Sequence, residues 1–511
     1  MRNFCPRRCL LRECNLIRTS PLSVLIWPWC PNGTSHGNAK TRMNISSSRS
    51  FPLTREYTNH NFWLRRTAYF SKRLKHQRNE MSTTTKPCDG TDGTVESFMT
   101  NESLSSSVLS SSHRLPITTF TDDEIMIRDA VRHWGKTTLL PVVRDMDTHG
   151  SISSNIIQDL FDLGYMGIEV PDTISGGAGL NFTSAILAIE EIARIDPSVA
   201  ILVDIHNTLT INAIRRWGTE LQQESWLPRL ATKTVSAFCL SESQSGSDAF
   251  ALQTTATLSA DQSYYTIRGT KSWISNAETA GIFIVFANIN PSQLGYKGIT
   301  AFIVDATTIS SDDDGGSIVI GKPENKLGLR ASSTCQVTFD NLKVNVNNVL
   351  GEVGMGYKYC IEILNEGRIG IAAQQLGIAK ACLYDIALPY MIERKQFQQS
   401  IATFQGMQHQ YALAATEIHA AETMIYNACR MKENNMNFIK EASMCKYYAA
   451  TIAERTASKT IEWLGGIGFT KDMLAEKFYR DCKVGSIYEG TSNIQLQTIA
   501  KLLMSEYNSS T

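Results

Sequence analysis

No apolar run in this 511-residue chain approaches the ~20 residues that a helix needs to cross a bilayer, so no transmembrane segment is expected. The nearest candidate, Val24–Trp29, is short and interrupted by Pro28. Charge of one sign is also missing. Lys and Arg total 49, Asp and Glu total 49, and the formal net charge is zero. Nucleic-acid binders carry a basic field, so nucleic acid is not expected as a partner, and the balance fits the surface of a soluble enzyme. Of the 12 cysteines, Cys5, Cys9, Cys14, Cys30 and Cys88 lie in an N-terminal region of unusual composition. The remainder stand singly among apolar neighbours, with no Cys-x-x-Cys pair and no Cys/His set at zinc spacing. They read as small core residues in a reducing compartment, and no metal is expected. A Gly-x-Gly-x-x-Gly after a strand, a Gly-x-Ser-x-Gly elbow and a zinc-binding His pair are all absent. Gly465–Lys471 is rich in glycine but lacks Walker spacing, and Ser175–Gly179 reads as a turn.

What is present falls into five stretches. Residues 1–80 are rich in Arg and Ser and poor in acid, the composition of an organelle presequence. Residues 81–116 are Ser/Thr-rich and read as a disordered linker. Residues 117–234 carry helical periodicity: Ile156, Leu160 and Leu163 recur at helical spacing before Gly164, and Ser184–Ile195 reads as an amphipathic helix. Asp122 and Asp123 mark an early helix start. Residues 235–345 switch to short β-branched and aromatic runs, namely Tyr264–Ile267, Ile282–Phe286, Ile299–Val304, Ile318–Ile320 and Gln336–Phe339. Among their turns, Asp312–Gly316 is acidic but lacks the spacing of a calcium loop. Residues 346–511 return to long helical stretches over 361–383, 406–432 and 440–464, with a last helix from Ser492 through Leu503. Ser492 and Gln495 fit a capping box. The expected fold class is α+β: an N-terminal α-bundle, a middle β-domain and a C-terminal four-helix-type bundle. Local chemistry alone stops at a soluble protein of this architecture.

Longer constellations go further. Phe238-Cys239-Leu240-Ser241-Glu242-Ser243-Gln244-Ser245-Gly246-Ser247-Asp248 resembles the flavin-binding strand and loop of the acyl-CoA dehydrogenase family, and Trp273-Ile274-Ser275-Asn276 resembles its second flavin contact. Arg394-Lys395-Gln396-Phe397 with Gln405, then Glu462-Trp463-Leu464-Gly465-Gly466, then Ile487-Tyr488-Glu489-Gly490-Thr491-Ser492 follow in the family's order. The resemblance spans about residues 117–507. Gly295–Ile299, Gly321–Cys335 and Leu364–Arg368 are most similar to members acting on short, 2-methyl-branched acyl groups such as 2-methylbutyryl-CoA.

The resemblance implies an FAD enzyme that removes a hydrogen pair from an acyl-CoA thioester and passes the electrons to an electron-transferring flavoprotein. It implies a homotetramer in the mitochondrial matrix, serving branched-chain amino acid and fatty acid breakdown. An α-proton next to a thioester is a weak acid, so a carboxylate must be aimed at it and the developing charge stabilised. By the likeness Glu489 is that base, and its neighbours Ile487 and Tyr488 suit a dry site. From the residues alone, Glu489 reads more readily as a charge before the Ser492 helix than as a base. In some members the base instead precedes the Arg that matches Arg368; here that residue is Gly367, and Glu366, one helical step away, reads as a substrate-pocket or structural residue and not as the base. The likeness assigns Phe238, Leu240, Ser241, Gly246, Ser247, Trp273, Ile274 and Ser275 to the flavin. It assigns Arg394, Gln405, Glu462–Gly466, Thr491, Ser492 and Asn493 to the rest of the dinucleotide, partly across a subunit boundary. Ser247, Tyr296, Tyr357, Asn365, Glu366, Gly367 and Arg368 match substrate contacts. Two departures stand out: Gln398 replaces the Gly usual after Phe397, and Ser243-Gln244-Ser245 is unusual in the flavin loop.

Alternatives remain. An acyl-CoA oxidase would share base and cofactor but use oxygen. A catalytically silent binding protein on the same fold would have no use for Glu489. A nitroalkane-oxidising relative would carry Asp there.

Overall fold

The computed structural model describes residues 116–309 and 315–510. The presequence, nearly all of the linker and the three aspartates of the Asp312–Gly316 turn lie outside the described residues.

The described chain opens on the helix Asp122–Trp134. Thr121 caps it: its hydroxyl accepts from Glu124 N at 3.3 Å, and its own N–H donates to the Glu124 carboxylate at 2.9 Å. The helix Ser154–Asp162 buries Ile156 and Leu160 as their spacing requires. Leu163 departs from the expectation. It falls just past the helix end and is 48% exposed, because the chain turns away at Gly164, φ +76°. The helix Phe182–Ala193 is a second departure: every residue of it is buried, so it is not amphipathic. Its two acids are neutralised inside the protein. Glu190 meets Lys380 at 2.6 Å and the Tyr426 hydroxyl at 2.8 Å, and Glu191 meets Arg132 at 2.6 Å.

Eight strands form one sheet: β1 Ser236–Cys239, β2 Thr255–Leu258, β3 Tyr264–Ser275, β4 Ile282–Asn288, β5 Ile299–Asp305, β6 Ser317–Ile320, β7 Thr334–Asn345 and β8 Val349–Leu350. The order runs β6-β7-β3-β2-β4-β5-β8, with β1 parallel to β4 from Ser236↔Ile282 to Cys239↔Val285. Every residue of β4 is buried. Its alternate side chains serve two cores: Ile282, Ile284 and Phe286 face helices, and Phe283, Val285 and Ala287 pack with Phe302, Val337 and Phe339. A sheet covered on both faces explains why β4 reads as a continuous apolar run.

The helix Gly356–Lys380 joins the two helical regions to the sheet. Its Cys360, Ile363 and Ile371 belong to the sheet-side core with Leu209, Ile284 and Ile303. Its Ile369, Ala372 and Leu376 belong to a helical core that holds Ile186 and Ile189 together with Ile425 and Trp463. The first and last helical regions therefore share one core. Long helices follow at Gln405–Glu433, Ile439–Leu464 and Ser492–Ser510. No described helix is long and apolar enough to cross a membrane. Cys239, Cys335, Cys360, Cys382, Cys429, Cys445 and Cys482 are free and buried, as expected.

Candidate active site

Two of the flavin segments meet at one edge of the sheet. The Ser272 N–H donates to Ser241 O at 2.9 Å, joining the turn after β1 to the end of β3. There β3 slips against β7 between Lys271 and Ile274. The extra residue of that bulge turns Trp273 into the left-handed region, φ +63°, and leaves the residue 63% exposed. Beneath the bulge lies Lys271, fully buried. Its ammonium donates to Leu240 O at 3.1 Å and to Glu242 Oε1 at 2.8 Å. Glu242 also accepts from Gln253 N at 2.6 Å and from Thr254 N at 3.0 Å. One ion pair thus ties three strand ends together under the exposed indole. Sequence reading missed this pair. The signal was the side-chain alternation of β3, which puts Lys271 on the same face as the buried Tyr265 and Ile267.

The other residues of these segments divide by burial. Leu240 and Ile274 point into the core, and Phe238 packs on Phe286 with ring centroids 5.0 Å apart; these three have only backbone to offer a ligand beyond the edge. Ser241 and Ser275 are half-buried, and Gly246 and Ser247 are exposed. A Cβ on Gly246 or on Gly466 would meet nothing within 4 Å, and neither glycine has left-handed φ. Nothing within the chain demands glycine at either position, whereas a ligand lying against the backbone does. With the Ser241 and Ser275 hydroxyls and the uncovered indole, this edge fits a flavin dinucleotide.

Arg394, Gln405 and Glu462–Gly466 lie on other elements. Arg394 precedes a hairpin of β9 Lys395–Gln396 and β10 Gln399–Ser400, and its carbonyl accepts from Ile401 N at 2.9 Å. The indole of Trp463 donates to Gln410 Oε1 at 3.1 Å, aligning the end of one helix with the start of the other. Trp463 and Leu464 are buried core residues, which corrects their reading as cofactor-lining side chains. Glu462 pairs with Lys459 at 2.6 Å. Among the described residues no hydrogen bond or ion pair links this group to Ser241 or Trp273. Both turn residues of the hairpin are left-handed, Phe397 at φ +50° and Gln398 at φ +66°, so Gln398 occupies a conformation suited to the glycine it replaces.

Glu489 sits on a strained turn of its own. Its φ is +50°, and Gly490 follows at φ +85°. Gln495 Nε2 donates to the carbonyls of both, each at 2.9 Å, and Lys446 Nζ donates to Gly490 O at 2.7 Å. Thr491 rather than Ser492 caps the final helix, its hydroxyl accepting from Ile494 N at 3.3 Å, because Ser492 already lies in the first helical turn. The expected capping box is corrected accordingly: Gln495 secures the turn before the helix. Ser492 and Asn493 lie in that first turn, Ser492 half-buried and Asn493 exposed.

The Glu489 carboxylate lies against Gly367. A Cβ there would be 3.3 Å from Glu489 Oε2 and 2.8 Å from Leu209 Cδ2. Oε2 is buried with no hydrogen-bond partner among the described residues. Burial pushes the Glu489 pKa up to about 7, against the opposing pull of Arg368 and Lys446. Arg368 donates to Asn365 Oδ1 at 2.8 Å and lies beside Ser443 Oγ at 3.4 Å. Asp204, at the end of the helix Pro197–Asp204, is buried, and burial raises its pKa well above the ordinary carboxylate range, with the neighbouring Glu489 adding to the rise. Tyr488 hydrogen-bonds to Gln374. Glu366, one step round the helix from Gly367, is turned away. It is 2% exposed and bound to Arg216 at 2.8 Å, Asn212 at 2.9 Å and Lys432 at 3.3 Å. Of its two readings, substrate-pocket or structural residue, this ion cluster supports the structural one, and the substrate contact is corrected. Tyr296 and Tyr357 meet edge to face at 5.1 Å, with Phe250 6.5 Å from Tyr357.

This arrangement holds a carboxyl group that ionises near pH 7, and in its ionised form it can take a proton from a weak carbon acid. Known proteins agree with that chemistry. The chain matches the families described as acyl-CoA dehydrogenase N-terminal domain over residues 121–234, middle domain over 237–342 and C-terminal domain over 354–504. It is 52% identical to the mitochondrial short/branched chain specific acyl-CoA dehydrogenase of Bos taurus, over 77% of this chain and 88% of that one. The solved butyryl-CoA dehydrogenase of Megasphaera elsdenii superposes with a TM-score of 0.72 at 35% identity, covering 76% of this chain and 99% of that one. An acyl-CoA dehydrogenase of Bacillus anthracis, solved in complex with FAD, superposes with a TM-score of 0.70 at 28% identity, covering 76% and 68%. The chain belongs to the acyl-CoA dehydrogenase family, whose members oxidise acyl-CoA with FAD.

Proposed function

We propose that this protein dehydrogenates short, 2-methyl-branched acyl-CoA thioesters of the 2-methylbutyryl-CoA type to the 2-enoyl-CoA, with Glu489 removing the α-proton. The observation that carries the reading is the Glu489 carboxylate itself: a buried oxygen without a partner, lodged against Gly367, with its pKa raised to about 7. A base at that pKa is ionised for half its population near neutrality and is strong enough to act on a carbon acid once water is excluded. Ser241, Ser275 and Trp273, with the exposed backbone at Gly246, would hold the flavin ring. Arg394, Gln405 and the Gly465–Gly466 turn would hold the dinucleotide from a second copy of the chain, which accounts for their separation from the Ser241 edge. Bound FAD supplies the acceptor for the hydride that leaves Cβ. Tyr296, Tyr357, Asn365 and Arg368 would contact the substrate, and Ser247 would meet its coenzyme A portion.

The wider reading is a homotetramer of the mitochondrial matrix that passes its electrons to an electron-transferring flavoprotein. It comprises a presequence over 1–80, a linker over 81–116 and units over 117–234, 235–345 and 346–511. The mitochondrial names of relatives such as the bovine enzyme support the compartment. The test is a substrate panel, with reduction of an electron-transferring flavoprotein and oxygen uptake measured side by side. Highest kcat/KM for 2-methylbutyryl-CoA with negligible oxygen uptake supports the reading. Oxygen uptake matching substrate turnover would assign the protein to the oxidases.

A further inference from the structure

We propose that Lys446 is a positioning residue for the base: its buried ammonium clamps the left-handed Glu489–Gly490 turn and favours the ionised carboxylate. The inference rests on the assignment of Glu489 as base.

Lys446 lies on the helix Ile439–Leu464 among Ala442, Cys445, Ala449 and Ala450, all buried, and is itself fully buried. A lysine without solvent needs a compensating partner. Its hydrogen bond at 2.7 Å is to the carbonyl of Gly490, not to a carboxylate. Among the described residues it makes no ion pair. The structural need at that spot is modest, since Gln495 already donates to the same carbonyl at 2.9 Å. A neutral donor would have sufficed to hold the turn, so the charge calls for a separate explanation.

The explanation lies in the groups around the carboxylate. From the Gly356–Lys380 helix come Arg368 and the buried thiol of Cys360; from the helix Pro197–Asp204 comes Asp204; Tyr488 adjoins in sequence. Burial raises the pKa of Asp204, Tyr488 and Cys360, and among the described residues Arg368 and Lys446 are the cations that oppose the effect of burial on Glu489. Arg368 is engaged with Asn365. Glu489 in turn supports the charged form of Lys446, whose own pKa burial lowers to about 8. Each member of the pair therefore makes the other's burial tolerable, and the base stays ionisable near neutrality instead of being driven further up by desolvation.

The test compares Lys446→Met, Lys446→Gln and Lys446→Arg with the parent holoenzyme, and runs Glu489→Gln alongside. Two quantities are read: the acid limb of kcat/KM against pH, and the titration of the Glu489 carboxyl band by isotope-edited infrared spectroscopy without substrate. Loss of an adjacent cation moves a carboxyl upward by about one pH unit or more. In the methionine variant, activity should therefore fall about tenfold at pH 6 and little at pH 9. The glutamine variant, which keeps a donor for the Gly490 carbonyl, should shift equally and serves if methionine does not fold; arginine should restore the limb. An unmoved limb with activity lowered evenly at all pH values would leave Lys446 a structural residue and overturn the inference. If Glu489→Gln keeps activity, the base assignment itself has failed, an outcome separable from failure of the Lys446 proposal.

Discussion

Gly367 and Glu489 occupy one point in the protein from two directions: a Cβ on the first would stand 3.3 Å from Oε2 of the second. A carboxylate carried on a side chain at 367 would reach the space that Glu489 fills. Glycine at 367 is required here because a larger residue would press on Glu489 and on Leu209, 2.8 Å away. The expected consequence is that Gly367→Ala lowers kcat far more than it lowers stability. Glu489→Gly should cost about 10²–10⁴-fold in kcat, and adding Gly367→Glu should recover a measurable part of it. Steady-state kinetics on the single and double variants decide this; no recovery in a folded, flavin-bound double variant would mean that the two positions do not share a target.

The pH dependence follows from the carboxylate. Burial disfavours its charged form, the free enzyme's pKa stands at about 7, and only the ionised form accepts a proton. kcat/KM should therefore rise between about pH 6 and pH 8 and lose that rise in Glu489→Asn or Glu489→Gln. Stability moves the other way. The folded protein holds this proton at pH values where the unfolded chain has released it, so the contribution to stability declines as pH rises from the ordinary carboxylate range through about 7. Thermal unfolding of Glu489→Gln should exceed the parent at pH 8 and converge with it near pH 4.5.

Lys271 should matter beyond the sheet that contains it. Lys271→Met strands the buried Glu242 carboxylate, and breaking a buried pair on one side costs about 3–5 kcal/mol. Because the pair secures the strand ends that carry Ser241 and Trp273, flavin should dissociate faster from the variant than its loss of stability alone explains. Flavin release measured by fluorescence at a temperature where both proteins remain folded checks this.

Gln398 pays for its left-handed turn. Gln398→Gly should raise stability by about 1 kcal/mol, the strain of a side chain in that region, less the entropy glycine adds to the unfolded chain. Denaturant unfolding of the two proteins reads the difference; destabilisation would show that the exposed side chain has a contact worth more than the strain.

Much of this was legible in the sequence because it depends on periodicity. The change from helical spacing to short β-branched runs after Val235 and back at Gly356 follows from which faces are buried. Ile156 and Leu160 follow their spacing, and the seven described cysteines are buried as their apolar neighbours imply. Less legible was whatever depends on a single side chain finding a distant partner. Lys446 and Lys271 are charged residues inside cores, and their hydrogen-bond partners Gly490 and Glu242 lie far away in sequence. Glu366 differs from Gly367 by one helical step, yet that step carries it from the base to the Arg216 cluster. Trp463 and Leu464 lie within a ligand-like motif but on the inward face of their helix, and burial rather than motif decided their role.

The most direct test of the account is rapid mixing of the flavin-loaded protein with 2-methylbutyryl-CoA without oxygen, following the flavin absorbance in the parent and in Glu489→Gln. The account predicts rapid bleaching in the parent and bleaching slowed by about 10²–10⁴-fold in the variant, with flavin content unchanged. Equal rates in the two proteins would contradict it, since the α-proton would then leave to some other group.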